Sequence, residues 1–371
     1  MTQLRGQRIV SQLDADGTLA VSLQDFDVPE PTGSEVLIRV EATPINPSDL
    51  GLLFGPADVV GAEFSPGRVV ARMPEPAVRA MSARHGMAMP VGNEGAGTVI
   101  AAGEAPEAQA LLGKRVTCFP GGMYATHAIA DARMCLELAG GITAEQGAST
   151  FVNPLTALSF TETMRYHGHS ALVHTAAASN LGQMLVRICH ADGIPLVNVV
   201  RNEAQVAILK GIGAEHVVDS SKDTFLDDLA AALDATKATM AFDAIGGGKL
   251  VSQILTTMEQ VANKGAAYSR YGSNSPKHAF IYGALDLSPT ILTRNFGFVW
   301  DVSGWLLTPW MSKLGPEIVD KMRRRVMAEL TTTFASRYKA RVTLEQALTR
   351  DAALDYNARR TGEKYLITPN G

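Results

Sequence analysis

The sequence predicts an α/β protein in which a β-rich domain accompanies a doubly wound parallel sheet. Three observations carry the prediction. The first part of the chain alternates short apolar runs with Gly, Pro and Asp punctuation, the texture of turn-linked strands. From about Asn153 onward, strand-like and helix-like segments alternate strictly, the pattern of parallel β-α-β units. The first of those units joins its strand to its helix through a loop of small residues.

A chain of 371 residues has material for about two domains. Its composition, 46% hydrophobic and 19% charged, is that of a soluble globular protein with a substantial core. The formal net charge of -4 supplies no basic field for nucleic acid or an anionic membrane, so neither is an expected partner. Lys321, Arg323, Arg324 and Arg325 form the one basic cluster, in a helical-looking stretch that reads as a solvated face. Cys118, Cys135 and Cys189 are too few and too scattered for a disulfide framework or a metal knuckle. The stretch MTQLRGQRIV has no apolar core of signal-peptide length, and no run of about 18 apolar residues occurs. A cytoplasmic location is therefore the expectation.

In chain order, VLIRV (36–40), GTVIAAG (97–103) and KRVTCF (114–119) read as strands of the β-rich part. The segment 55–90 has several prolines and no clear period, and is expected to be a long surface excursion. ALVHT (171–175) reads as a buried strand. In the helix that follows, Leu181, Met184, Leu185, Ile188 and Cys189 fall on one face. Then come the strand PLVNVV, a helix over 203–210, the strand EHVVDS, a helix over 225–236, the strand MAFDAI, a helix over about 250–261 and the strand AFIYGAL. RYKARVTL and EKYLITP close the chain as strands.

The loop between ALVHT and its helix reads Ala177-Ala178-Ser179-Asn180-Leu181-Gly182. Aligned on its last glycine, it stands where a Gly-x-Gly-x-x-Gly loop brings a pyrophosphate against a helix N-terminus. Here small residues replace two of the three glycines. Ser179 and Asn180 also suit a helix cap, which is compatible with a phosphate site. The second strand ends in Val200-Arg201-Asn202. An acid at that strand end bonds the ribose 2′-hydroxyl of NAD. A carboxylate there repels a 2′-phosphate, whereas an arginine makes a charge-assisted and potentially bidentate contact with it. Arg201 and Asn202 are thus candidate cofactor contacts, and the expected cofactor is NADPH.

INPSD (45–49), GNEGAGTVIAAG (92–103), GGMYATH (121–127), NPLTAL (153–158), FDAIGGG (242–248) and TGEKYLITP (361–369) resemble, in this order, the medium-chain dehydrogenase/reductase superfamily. Within it the chain is most similar to the zinc-independent branch of quinone oxidoreductases and trans-2-enoyl thioester reductases. The resemblance implies a GroES-like catalytic domain over 1–155 and 315–371, with a Rossmann NADPH-binding domain over 156–314. It also implies a homodimer joined through an edge of the Rossmann sheet.

Zinc alcohol dehydrogenases carry Cys where Asn46 stands and His where Asn93 stands, and neutral amides are poor replacements for such ligands. No metal is therefore expected. The resemblance makes Asn46 a candidate catalytic hydrogen-bond donor, with a loop cap before proline as its alternative role. Thr156 is either a neighbour of the nicotinamide or a helix-start residue. Gly246 and Gly247 are candidates for close passage of the chain by the cofactor, and Tyr282 and Gly283 complete the candidate cofactor contacts. Asp49 and Tyr124 read as structural. Tyr268 and Tyr271 are conceivable proton donors. The enoyl reductases of the family use a tyrosine in the loop after Asn-Pro-Ser-Asp, and GLLFGPADVVGAEFSPG contains none. The aromatic segment NFGFVWDVSGWLLTPW (295–310) suggests an apolar or aromatic small-molecule substrate, with core or interface packing as the competing role.

The expected activity is zinc-independent hydride transfer from NADPH to a quinone or an activated C=C or C=O compound. Alternatives are a trans-2-enoyl thioester reductase, acting on CoA or acyl-carrier substrates, and a non-catalytic NADPH-binding redox sensor.

Overall fold

The computed structural model describes residues 3–359, 361 and 364–371. Met1 and Thr2 of MTQLRGQRIV, and Gly362 and Glu363 of TGEKYLITP, lie outside the described residues. The chain divides into two compact units, Met1–Val152 with Glu329–Gly371, and Asn153–Ala328.

The first unit opens with β1 (Arg5–Leu13), β2 (Thr18–Asp27) and β3 (Glu35–Pro44), followed by the short helix α1 (Pro47–Leu53). Next come β4 (Glu63–Ser65), β5 (Arg68–Arg72), α2 (Glu75–Ala80), β6 (Met89–Pro90), β7 (Gly95–Ala102), α3 (Pro106–Gln109), β8 (Arg115–Cys118), β9 (His127–Asp131), β10 (Leu136–Glu137) and α4 (Ala144–Gly147). One sheet has the order β4-β5-β2-β1-β6. VLIRV, GTVIAAG and KRVTCF are the strands β3, β7 and β8 of a second sheet, as their alternation predicted.

Up to Met73 the segment 55–90 is sheet and core rather than a surface excursion, whereas 74–90 has no buried residue. β5 pairs antiparallel with β2 over Thr18–Ser22. Val59, Ala62, Val69, Ala71 and Met73 enter the core beside Leu19 and Val21. Five residues with a two-residue period, RVVAR, bury only Val69 and Ala71. So short a run, flanked by prolines, carries little periodic signal. Three of the prolines punctuate the elements: Pro66 links β4 to β5, and Pro74 and Pro76 start α2.

The second unit contains α5 (Val152–Tyr166), β11 (Leu172–His174), α6 (Asn180–Asp192), β12 (Leu196–Val200), α7 (Glu203–Lys210), β13 (His216–Asp219), α8 (Phe225–Thr236) and β14 (Met240–Asp243). It continues with β15 (Gly246–Gly248), α9 (Leu250–Ala262), β16 (Lys277–Ile281), β17 (Asp286–Thr290), β18 (Trp300–Gly304), α10 (Leu307–Leu314) and α11 (Pro316–Ala328). The six-stranded sheet runs β13-β12-β11-β14-β16-β18, with every pairing parallel. This is a doubly wound parallel sheet, as the alternating texture predicted, and its order reverses direction between β11 and β14. The apolar face of α6 is buried as its spacing required: Leu181, Met184, Leu185, Ile188 and Cys189 all enter the core.

The chain returns to the first unit at 328/329, one helix later than 314/315. The reason lies in α11. It buries Val319, Met322 and Val326, Ser159 Oγ of α5 donates to Met322 Sδ at 3.7 Å, and Arg325 pairs with Asp192 at 2.7 Å. The basic cluster on α11 is thus partly engaged. The closing elements are β19 (Ala340–Val342), α12 (Arg350–Asn357) and β20 (Tyr365–Ile367); β20 completes the second sheet against β3. The three cysteines are free and buried. No helix of the described residues is long and apolar enough to cross a membrane.

Candidate nucleotide site and buried polar centre

In the second unit, the ends of β11 and β14 are tied together across the reversal point. Thr175 Oγ1 donates to Asp243 Oδ1 at 2.6 Å, the N–H of Ala244 donates to Thr175 Oγ1 at 2.9 Å, and the N–H of Gly246 donates to Asp243 Oδ2 at 2.7 Å. The loop that leaves β11 is anchored on this clasp. Ala176 takes a left-handed conformation, φ 49°, which is uncommon for a residue other than glycine. Ala177 and Ala178 are buried. Ser179 caps α6, its Oγ accepting from the N–H of Gly182 at 3.1 Å. Asn180 and Leu181 are the first two residues of the helix.

Gly182 is needed for a different reason. A Cβ there would lie 2.0 Å from the carbonyl oxygen of Ala177, so the helix presses directly against the loop. The result is a tight, small-residue cradle at the N-terminus of a 13-residue helix, where first-turn N–H groups lack helical acceptors. It suits a pyrophosphate although two fingerprint glycines are absent.

Arg201 follows the buried end of β12 and is exposed, with its backbone N–H held by Gln205 Oε1 at 3.0 Å. Asn202 caps α7 by accepting from the N–H of Gln205 at 2.9 Å. Gly246, Gly247 and Gly283 have a packing role. A Cβ on Gly246 would meet the carbonyl of Gly283 at 2.9 Å, one on Gly283 the carbonyl of Ala244 at 2.5 Å, and one on Gly247 the Asp286 side chain at 2.7 Å. These glycines let the segments after β14 and β16 run against each other.

Tyr282 is tucked into the sheet. Its hydroxyl lies 2.7 Å from His174 Nε2 and its ring stacks on the imidazole at 5.8 Å. Burial pushes the Tyr282 hydroxyl well above its usual range and holds His174 neutral, down at about 3. His174 Nδ1 has no hydrogen-bond partner among the described residues. Sequence reasoning missed His174, Thr175 and Asp243 as the frame of this site; the only signal was their place at the ends of predicted strands.

Beyond the carboxyl ends of β16 and β18 lies a depression of about 530 Å³, lined by Ile281, Tyr282, Gly283, Trp305, Leu306 and Trp310 among others. Phe296, Trp305 and Trp310 of the aromatic segment are buried, and Trp305 Nε1 donates to Thr163 Oγ1 at 3.2 Å. Phe298 is 77% exposed. Thr156 lies inside α5 and is buried. Tyr268 and Tyr271 are exposed, in the loop that enters β16 at its amino end. The loops after β11 and β14 leave the opposite end of this parallel sheet, so the two tyrosines are not gathered with the small-residue loop 177–182.

The first unit holds a buried polar centre. Asn46 stands at the start of α1, fully buried. Its Nδ2 donates to Glu94 Oε1 at 2.9 Å, while its Oδ1 has no partner among the described residues. Glu94 also accepts from Ser149 Oγ (3.3 Å) and from the N–H groups of Phe151 (2.8 Å) and Val152 (3.0 Å). Lys364 Nζ donates to Ser149 Oγ at 2.7 Å, and burial lowers this lysine to about 8. Asp49 accepts from the N–H of Asn46 (2.7 Å), the N–H of Asn93 (2.9 Å) and the Tyr124 hydroxyl (2.9 Å). Burial nevertheless pushes its carboxyl up to about 7. Asp49 and Tyr124 therefore brace α1, as expected of structural residues.

The donor set does not fit zinc. Asn46 and Asn93 offer a metal only neutral amide oxygens, which are weak zinc ligands, their Nδ2 groups donating to Glu94 (2.9 Å) and to Ser48 Oγ (3.1 Å). No group of three or more His, Cys, Asp or Glu suited to a metal occurs among the described residues.

Comparison with known proteins agrees with this division. A family model for the alcohol dehydrogenase GroES-like domain matches residues 32–146. A second, described as zinc-binding dehydrogenase, matches residues 181–282. The mitochondrial enoyl acyl-carrier-protein reductase of Caenorhabditis elegans is 26% identical over 298 residues, 76% of this chain and 75% of that protein. Its counterparts from Bos taurus and Xenopus tropicalis are matched over only 57% of their length. Among solved structures, a protein of Mesorhizobium loti assigned as an NADPH:quinone reductase superposes with a TM-score of 0.75 at 25% identity, over 100% of both chains. A mutant form of the enoyl thioester reductase of Candida tropicalis gives a TM-score of 0.67 at 19% identity, over 98% of this chain and 100% of that one. At that identity the second likeness speaks to the fold alone.

Proposed function

We propose that this chain, which belongs to the medium-chain dehydrogenase/reductase superfamily, is an oxidoreductase that delivers hydride from NADPH to a quinone or an activated C=C or C=O compound without zinc. The observation that carries the cofactor choice is Arg201, placed immediately after the buried end of β12 and beside the Asn202 cap of α7. NADPH, when bound, supplies the hydride. The chain supplies the rest. The small-residue loop and the capped α6 hold the pyrophosphate, and Arg201 meets the 2′-phosphate with a charge that a carboxylate would reverse. The donor set at Asn46 and Asn93 offers no Lewis acid, so the acceptor must be electrophilic in its own right. The aromatic walls of the depression beside β16 and β18 favour a flat, apolar molecule.

A second reading, a trans-2-enoyl thioester reductase, is favoured by the enoyl reductases among the curated relatives. Against it, α1 and the segment behind it carry Phe54 and Phe64 but no tyrosine. The same reading of the fold makes the chain a homodimer joined along β18. Among the described residues that strand ends the sheet and pairs only with β16, and exposed Phe298 and Val299 precede it.

The deciding experiment is NADPH consumption by chelator-treated protein, with a 1,4-quinone in one cuvette and an enoyl-CoA in another. Faster turnover of the quinone is expected. Faster turnover of the thioester makes the second reading the right one, and tight NADPH binding with no turnover of either leaves a cofactor-binding redox sensor.

A further inference from the structure

Arg201 does not stand alone at the carboxyl ends of its strands. Glu203, the first residue of α7, follows it by two positions. An unopposed carboxylate there would weaken the attraction of this strand end for an anion. It is opposed: Lys222 Nζ donates to Glu203 Oε2 at 3.1 Å. Lys222 belongs to the turn after β13, the strand paired directly with β12, with Asp219 opposite Val200. That turn is fastened to the end of β12, because the N–H and the hydroxyl of Ser220 both donate to the Val200 carbonyl, at 2.7 and 2.9 Å. Asp219, the last residue of β13, is directed onto Ser221, accepting from its N–H at 3.0 Å and its hydroxyl at 2.8 Å, and Asp223 follows Lys222 in the turn. Two cations thus leave adjacent strand ends, and the carboxylates of Glu203 and Asp219 both have donors on them.

We propose that Lys222 is the second half of the 2′-phosphate site, a specificity-determining residue that screens Glu203 and adds its own charge to that of Arg201. The inference rests on the NADPH reading above. Its ligand class is the adenosine 2′-phosphates, whose dianionic monoester gains from each added cation. The arrangement predicts non-additive behaviour. Removing Lys222 subtracts an attraction and also exposes a repulsion, so neutralising Glu203 in the same chain recovers part of the loss. The Lys222 and Glu203 side chains are 52% and 73% exposed, so both positions accept substitution without disturbing the core.

The test is calorimetric titration of NADPH, NADH, adenosine 2′,5′-bisphosphate and AMP into five proteins: the unaltered chain, Arg201→Ala, Lys222→Ala, Glu203→Gln and the Lys222→Ala/Glu203→Gln double variant. Circular dichroism checks that each is folded. Lys222→Ala is expected to weaken NADPH about tenfold and NADH less than about twofold, the scale of one exposed charge-assisted contact. Glu203→Gln is expected to tighten NADPH about twofold, and the double variant to bind it more tightly than Lys222→Ala alone. The bisphosphate should follow NADPH, and AMP should follow NADH. If Arg201→Ala changes the NADPH to NADH ratio and Lys222→Ala does not, the role given to Lys222 is wrong and that of Arg201 stands. If neither changes the ratio, the NADPH reading itself is wrong.

Discussion

Replacing Glu94 tests whether the buried polar centre of the first unit is held by a charge or by directed hydrogen bonds. The carboxylate is fully buried and receives four donors: Asn46 Nδ2, Ser149 Oγ and the N–H groups of Phe151 and Val152. Glu94→Ala leaves all four without an acceptor. At about 1–3 kcal/mol for each unpaired buried donor, reduced by relaxation, the expected loss is about 4–6 kcal/mol. Glu94→Gln keeps one oxygen for the two backbone N–H groups. Its new N–H group meets Asn46, whose amide can turn so that the partnerless Oδ1 accepts. The turned Nδ2 then takes the partnerless place, so Asn46 has one unpaired group before and after, and Ser149 Oγ, which accepts from Lys364, loses its acceptor; the expected loss is about 1–2 kcal/mol. The assay is urea unfolding of the whole chain, read by circular dichroism and by tryptophan fluorescence. All three tryptophans, Trp300, Trp305 and Trp310, lie in the second unit, so their transition is an internal control. Equal losses for Ala and Gln would show that charge rather than acceptor count matters. A loss below about 2 kcal/mol for Ala would refute the four-donor account.

Three further outcomes follow from the same geometry. Gly182→Ala would put a Cβ 2.0 Å from the Ala177 carbonyl oxygen and so force the helix off the loop, and should weaken NADPH binding about tenfold or more, measured by titration calorimetry. Lys364 has its native pKa lowered by burial from 10.5 to about 8. The unfolded chain therefore binds the extra proton between those values, stability rises with pH across that window by up to about 3 kcal/mol, and the full penalty stands below it. Lys364→Met should flatten the dependence of the melting temperature on pH from 8 to 10.5; an unchanged slope would mean that another group is responsible. Tyr282→Phe leaves His174 Nε2 buried without a partner, costing the second unit about 1–2 kcal/mol as read by tryptophan fluorescence, and no shift would place the hydroxyl outside the core.

Much of this protein is legible in local pattern. The face of α6, the limits of α7 and α8 and the alternation of strand and helix follow from residue spacing, because each helix must bury one stripe and each parallel strand must be apolar on both faces. The loop from Ala177 to Gly182 and the arginine at the end of β12 are legible for the same reason: a βαβ unit places its loop and its second strand end at set distances along the chain. Where the pattern is short it falls silent, as in RVVAR of β5, or in β17, whose residues are all exposed.

The rest depends on contacts between residues far apart in sequence. Nothing near Asn46 in the chain announces that its amide is spent on Glu94, nor does Tyr282 announce a hydroxyl turned onto His174, 108 residues away. The glycines after β14 read as a path for a cofactor, yet each keeps clear a backbone or side chain brought from beyond β16. By itself the sequence determined the doubly wound sheet, the position of the small-residue loop before α6 and the sign of the charge at the end of β12, since these follow from periodicity and from residue type at a set spacing. Only the tertiary structure decided which polar side chains face one another in the dry interior. Partner choice there is set by strand register and by the cost of leaving a buried donor unpaired, and neither is a property of any local stretch of chain.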